Sequence, residues 1–398
     1  MPNTILTADM ITREALRILH NKLSFVGKVM RQYDDAFAKT GAKIGDTLRI
    51  RLPNQYTVRT GAALSAQDTT EQNTSLAVAT QKGVDTSFTT RELTMSLDDF
   101  SERILEPAMA VLAANIESDA FSMTKEVYNL VGTPGTTPAT LKVFLDARAK
   151  LNQFLAPKDN NRCIQMNSET SASVVDALKG LFQDSQAIKK QYKEGMMGRT
   201  AGFEWFENEL IYNHTNGTQG GTPLVNGANQ TGTSLVTDGW SANATIKAGT
   251  VFTIAGVNAV HQETKVDYGF LKQFVVTADA TADGLGAATL SISPSITTTG
   301  AYQNVSAGPA DNAALTLVGS ASTTYPQNLA FHKDAFAFAT ADLEMPEGVH
   351  FASRQVYDGI SMRIVRQYDI NTDKIPCRID VLYGYKAVRP ELACRITG

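Results

Sequence analysis

Apolar residues first recur at three- and four-residue steps, at Ile11, Ala15, Ile18 and Leu19. That is the stripe of an amphipathic helix, with Thr7 as its expected N-cap. Val26, Val29, Met30 and Phe37 continue apolar but without clean period. A helix with so little chain around it cannot bury its stripe alone. It is expected to lie on its own body or on a neighbour. The spacing then changes. Leu48-Arg49-Ile50-Arg51-Leu52 alternates strictly, as a strand with one apolar face does, and Pro53 ends it. Residues 54–75 are polar, and alternation returns at Leu76, Val78, Thr80 and at Val84, Thr86, Phe88. Two strands joined by a long polar tip make an extended hairpin. It has too few residues for a core of its own, so its tip is expected to be disordered or pressed on another subunit.

Helical spacing is clearest over 98–131, where Leu105, Met109, Leu112, Ile116, Ala120, Met123, Val127 and Leu130 form one stripe. Pro107 either starts this helix or kinks a first turn at 99–106 onto it. Gly132 and the run Thr133-Pro134-Gly135 stop it. A second helix is expected over 139–155, carrying Leu141, Phe144, Leu145, Ala149 and Leu151. Between 162 and 215 the signals alternate. Cys163–Met166 reads as a strand, Ser168–Leu181 as a helix, Lys189–Thr200 as a basic loop and Glu209–Tyr212 as a strand.

Composition shifts sharply after that. The 106 residues 220–325 hold nine charged side chains, against 67 in the remaining 292, and contain neither Met nor Cys. Thr, Gly and Ser supply 38 of the 106. Short alternating runs recur at Leu235-Val236, Val251–Ile254, Phe274–Val276, Ala288–Ile292 and Leu315–Val318, separated by turn residues. This profile is that of a small all-β barrel or sandwich. Past 326 the earlier character returns, with strong alternation at Ile360–Val365 and Cys377–Gly384. A β-domain spliced into an α+β host accounts for the order, since a barrel supplies the close termini that insertion needs.

The whole chain of 398 residues is nearly neutral, at −4. That excludes a histone-like basic glue and an acidic disordered tail. Residues 1–59 are locally basic, with ten Lys/Arg against five Asp/Glu. No run of 18 apolar residues exists for a transmembrane helix, and the N-terminus lacks the pattern of a secretory signal. Cys163, Cys377 and Cys394 are too few and too far apart for a disulfide framework or a Cys-x-x-Cys zinc site. They read as buried thiols of a reducing cytoplasm. No phosphate-binding loop, no Gly-x-Ser-x-Gly and no His-Glu-x-x-His occurs. Gly284-Leu285-Gly286 reads as a β-turn. His20, His214, His261, His332 and His350 never approach metal-ligand spacing. Asp34-Asp35 and Asp98-Asp99 fit loop and helix-start positions. No catalytic, metal or cofactor site is expected, and the chain does not read as an enzyme.

The order of parts carries a resemblance. A helical arm, long hairpin, long helix, α/β region, inserted β-domain and strand-rich return resemble the major capsid protein of tailed bacteriophages with the Hong Kong 97-type fold. More narrowly, the chain resembles the coat-protein subfamily of Salmonella-type short-tailed phages, whose members carry an inserted β-barrel. Leu112-Ala113-Ala114-Asn115-Ile116-Glu117 is similar to that family's spine helix. Lys247–Val257 is similar to the first part of its insertion, and Leu382–Glu391 to its C-terminal strand.

The resemblance implies an α+β capsid fold with an N-terminal arm at 1–45 and an extended loop at 46–97. A peripheral domain with the spine helix would span 98–160, and a first axial part 161–216. The barrel would take 217–327, and 328–398 would return to the axial and peripheral domains. It further implies pentamers and hexamers in an icosahedral shell of triangulation number seven. The expected partners are a scaffolding protein, a portal and packaged double-stranded DNA held by non-specific contact. The expected location is the virion capsid, assembled in the host bacterial cytoplasm. No membrane and no cofactor is implied. Assembly contacts are expected at Ile11, Ile18, Arg49, Arg51, Arg59, Asp68, Asp238, Glu263, Lys265 and Asp267, with 226–243 and 261–270 as candidate contact loops. Glu263, Lys265 and Asp267 would form charge pairs between subunits, each modest if exposed. A nanocompartment shell subunit and a β-rich surface-binding module are the rival readings. The first lacks a large β-insertion, and the second leaves the hairpin and the long helix unexplained.

Overall fold

The computed structural model describes residues 8–32, 47–64, 66–68, 71–89, 105–178 and 199–397. Thr7, Asp34-Asp35, Phe37, Asp98-Asp99 and the basic loop up to residue 198 lie outside the described residues. The chain divides into two compact units.

The first unit comprises Met1–Ile50, Thr74–Phe121 and Phe336–Lys386. Its sheet runs in the order Met30–Gln32, Phe336–Ala341, Lys374–Ala387, Ile360–Arg366, Phe351–Tyr357, and Thr80–Thr89 also pairs with the long strand Lys374–Ala387. Helix Ala8–Lys22 lies against helix Glu106–Phe121 and the two strands Phe351–Tyr357 and Ile360–Arg366. Its stripe therefore closes its own core. Ala15, Leu16, Ile18 and Leu19 are buried there, beside Met109, Leu112 and Ile116. The unit's polar anchor is Glu117, a buried carboxylate on the long helix. It accepts the backbone N–H groups of Phe25 at 2.7 Å and Val26 at 3.3 Å and the Ser24 hydroxyl at 3.3 Å. Those donors would otherwise be orphans at the start of the 3₁₀ turn Val26–Lys28. Asp119, two residues on, accepts from the Tyr383 hydroxyl and pairs with Lys82 at 2.7 Å.

The long helix begins at Glu106, so Pro107 sits in its first turn, where a missing N–H costs nothing. It ends earlier than the apolar period predicts. After Phe121 the chain tightens into a 3₁₀ turn, Ser122–Glu126, and Leu130–Val131 pairs as a strand with Arg395 and Ile396. Sheet pairing takes these residues from the helix. Strand Thr47–Arg51 pairs with Asn73–Ala77 as the alternation predicts.

The second unit comprises Arg51–Asn73, Ser122–Ala335 and Ala387–Gly398. One six-stranded sheet runs Leu130–Val131, Ala393–Ile396, Asn328–His332, Arg162–Met166, Phe203–Glu207, Arg199–Thr200. Helix Leu141–Gln153 packs on it through Phe144, whose ring meets Trp205 at 4.8 Å. Glu209–Tyr212 is not a strand. Glu209 turns its carboxylate onto the N–H of Ser168 at 2.9 Å, the start of helix Ser168–Leu178, and Asn208 accepts from Leu210 N–H. The strands are Phe203–Glu207 and Asn213–Thr215 instead.

Asn213–Thr215 and Thr324–Pro326 pair antiparallel, His214 opposite Tyr325, and form a two-stranded neck. Beyond the neck lies a closed barrel. Its strands run Gly221–Val225, Gly232–Trp240, Ala288–Ile296, Asp267–Val276, Val251–Val260, Leu315–Leu317. The last returns to the first, because Val225 N–H donates to Ala313 O and Asn312 N–H to Val225 O, each at 2.9 Å. Closure leaves no sheet edge to pair with other chains. Leu235, Trp240, Phe252, Phe274, Leu290 and Ile292 fill the interior. Trp240 Nε1–H donates to Thr237 Oγ1, which donates to Ala288 O, both at 2.8 Å. The span 226–243 is a short turn followed by strand Gly232–Trp240, not a loop. Gln230 binds that turn by donating to Asn226 O and accepting from Val236 N–H.

Candidate assembly surfaces and the barrel seat

Side chains at the barrel's base join it to the sheet of the second unit and to the helix packed on that sheet. The Gln273 side chain acts as one rung of a β-ladder. Its Nε2 donates to Leu130 O at 2.9 Å and its Oε1 accepts from Leu130 N–H at 3.0 Å. The Tyr268 hydroxyl donates to Gln153 O at 2.8 Å. Around them Tyr128, Leu130, Val251 and Val275 form a small apolar cluster.

Two lysines cross this seat in opposite directions. Lys272 of the barrel places Nζ 4.3 Å from the centre of the Phe154 ring and 4.7 Å from that of Tyr128. Lys150, on helix Leu141–Gln153, places Nζ 4.1 Å from the Phe270 ring of the barrel. Each amine nitrogen lies over a ring supplied by the other side. Burial holds both amines below the ordinary lysine value, and it brings Lys272 to about 7.

Arg395, on the last strand, is fully buried. Its guanidinium donates to Gly249 O in the barrel and to Lys125 O, each at 2.7 Å. Burial lowers it to about 9. Gly249 has φ +98°, and a Cβ there would lie 3.0 Å from His214 Nδ1 and 3.1 Å from Lys125 Cβ. Only glycine fits the backbone and the space. His214 is buried in the neck, with Thr250 Oγ1 3.3 Å from Nε2 and the Tyr212 hydroxyl 3.4 Å from Nδ1. Burial, then the Arg395 charge, pushes its imidazole down to about 4. It is neutral at pH 7.

The candidate interface residues fall into three separate places. On helix Ala8–Lys22, Ile11 is half-buried and Ile18 is 9% exposed in the core of its own unit, so Ile18 is not an open contact. Along the hairpin, Arg49, Arg51, Arg59 and Asp68 are all exposed. Arg51 lies 3.9 Å from Glu71, and Arg59 donates to Gly61 O. Between them stand large apolar side chains in water. Tyr56 is 55% exposed, Leu64 88% and Val58 93%. On the barrel, Asp238 is half-buried and Glu263 exposed.

Lys265 is committed within the barrel. Its ammonium donates to the carbonyls of Gln262, Ala301 and Gln303. Asp267 accepts from Asn258 Nδ2 at 3.0 Å and Gly269 N–H at 2.7 Å, which holds its carboxyl below the ordinary value. The turn 261–266 is braced by His261 Nδ1, which accepts from the N–H groups of Glu263 and Thr264. Lys265 and Asp267 thus spend bonds inside the barrel, while Glu263 stands exposed.

Sequence reading missed Gln273, Lys272, Arg395 and Glu117. The signal was present for two of them. Lys272 is a lone charge in Phe270-Leu271-Lys272-Gln273-Phe274, and Arg395 one in Ala393-Cys394-Arg395-Ile396. A charge inside an apolar strand marks a buried polar contact. Among the described residues no group of three or more His, Cys, Asp or Glu is placed to hold a metal ion, and no helix is long and apolar enough to cross a membrane.

A barrel bolted to a host sheet, and a hairpin holding bare apolar side chains, belong to a structural subunit built to be covered by other protein. The family model described as P22 coat protein, gene protein 5, matches residues 8–398. The chain belongs to the P22 coat protein family. No curated protein matches it. Among solved structures it is similar to one from Mycobacterium phage Che8, at 11% identity and TM-score 0.47, covering 94% of this chain and 90% of that one. It is similar to the mature capsid of bacteriophage PhiM1, at 10% identity and TM-score 0.44, covering 94% and 86%. The CUS-3 coat protein I-domain matches at 30% identity and TM-score 0.18, over 26% of this chain and 96% of that domain.

Proposed function

We propose that this chain is the major capsid protein of a tailed phage, self-assembling into an icosahedral shell around double-stranded DNA. Membership of the coat protein family across residues 8–398 carries the reading. The role is structural rather than enzymatic. In it, 1–45 is the arm, 46–97 the extended loop, 98–160 the peripheral domain, 161–216 and 328–398 the axial and returning parts, and 217–327 the insertion. Shell contacts come from the hairpin, where Tyr56, Val58 and Leu64 stand exposed beside Arg51, Arg59 and Asp68. A neighbouring subunit that covered them would remove about 25 cal/mol of unfavourable exposure per Å² of apolar surface. Many copies multiply such contacts into a stable shell. The reading extends to a scaffolding protein, a portal at one vertex, triangulation number seven and assembly in the bacterial cytoplasm.

Negative-stain microscopy of the purified protein, alone and with its scaffolding partner, tests the reading. Closed shells of uniform size are expected. A folded protein that stays monomeric under both conditions overturns it.

A further inference from the structure

We propose that the barrel's seat is a pH-gated latch with Lys272 as its gate, closed while that amine is uncharged and opened by its protonation. Lys272 is 3% exposed, enclosed by Tyr128 and Phe154, and makes no hydrogen bond or ion pair among the described residues. The charged form exchanges its hydration for two ring faces, which replace only part of it. Other groups around the seat do not cancel the charge. Glu391 favours it from a distance but is itself engaged by Arg389 at 2.9 Å. Lys150 opposes it, with its own ammonium over Phe270. Tyr128 is held protonated by burial, and Cys394, near Lys150, is a buried thiol pushed up to about 12.

A charged Lys272 regains its full hydration through a local opening that lifts the strand Asp267–Val276 away from Tyr128 and Phe154. The same motion parts Gln273 from Leu130 and Tyr268 from Gln153. Those two contacts are direction-specific hydrogen bonds, so the seat is made or broken as a unit rather than loosened by degrees.

The pH range follows from linkage. A seated amine near 7 and a hydrated one near 10.4 mean that the open form binds more protons between those values. Opening is therefore promoted as pH falls through that window and levels off below about 7. From pH 8.5 to pH 7 the opening constant rises about fifteenfold. His214 does not contribute, because its window lies between about 4 and its ordinary 6.5. Cys394 acts in the opposite direction and between its ordinary 9 and about 12, above the range tested.

The test is amide hydrogen exchange of the full-length protein, corrected for intrinsic rates. It follows peptides that contain Leu130, whose N–H bonds to Gln273 Oε1 across the seat, with Val276, whose N–H bonds to Thr250 O inside the barrel, as the internal control. Wild type is expected to lose protection about fifteenfold between pH 8.5 and 7 at Leu130 and not at Val276. Lys272→Met is expected to be more protected and flat over that range, while Lys150→Met keeps a slope. Wild-type protection at Leu130 that is flat between pH 8.5 and 7, or an equal slope in Lys272→Met, overturns the proposal. Should Lys272→Met fail to fold, the wild-type series still decides.

Discussion

Gln273→Glu is the sharpest test of how the barrel is held, because it changes one atom's chemistry and almost no volume. In the wild type, Nε2 donates to Leu130 O at 2.9 Å while Oε1 accepts from Leu130 N–H at 3.0 Å. A glutamate keeps the second bond. Its other oxygen then faces Leu130 O, acceptor against acceptor. One net hydrogen bond is lost, worth about 1 kcal/mol, and the Leu130 carbonyl is left without its donor, at about 1–2 kcal/mol more. The expected loss is about 2–3 kcal/mol at pH 7. Protonation restores an O–H donor, so the loss relative to wild type must shrink as pH falls below about 5. The chain's two tryptophans make the assay local, since Trp240 lies in the barrel core and Trp205 in the host sheet. Urea unfolding followed by fluorescence, with Trp205→Phe and Trp240→Phe backgrounds, reads each transition. A Gln273→Glu protein as stable as wild type at pH 7, or a loss that does not shrink in acid, would refute the ladder-rung account.

Other substitutions probe other anchors. Glu117→Ala leaves the buried N–H groups of Phe25 and Val26 without an acceptor and opens a cavity. It is expected to cost about 3 kcal/mol in urea unfolding, and Glu117→Gln about 1 kcal/mol. Gly249→Ala must enter both a positive φ and the space taken by His214 and Lys125, so circular dichroism melts should drop by several degrees. His214 is a base whose value is lowered from 6.5 to about 4. The unfolded chain thus binds more protons between those values, and stability falls as pH drops through that window by about 3 kcal/mol. His214→Gln should flatten that segment of a stability–pH profile. In assembly assays, Val58→Asp and Leu64→Asp should reduce shell yield while leaving the melting temperature of the unassembled protein within about 2 °C, because both side chains stand in water before assembly.

Much of the architecture was legible because the apolar period is strong where a single face is buried. The alternation at Leu48–Leu52, the stripe from Met109 to Ala120 and the charge-poor block after 220 each rest on local pattern, and each corresponds to an element. The reading failed where a tertiary partner outbid local preference. Val127 and Leu130 continue the helical stripe, but Leu130 pairs with Arg395, far along the chain, which no local pattern connects. Glu209–Tyr212 reads as a short apolar strand, yet Glu209 accepts from the N–H of Ser168 at the start of helix Ser168–Leu178. The candidate charges fared similarly. Lys265 looks like a surface lysine by composition, and only the fold brings the carbonyls of Ala301 and Gln303 to it. The seat was invisible for the same reason, since its rung, Gln273 with Leu130, joins residues with no shared motif.

Image reconstruction of particles from cells expressing the chain with its scaffolding partner tests the central claim most directly. The expected result is a closed icosahedral shell in which each subunit carries a barrel held to its host by Gln273, Tyr268 and Arg395. Particles without icosahedral order, or a uniformly monomeric and folded product, would contradict it.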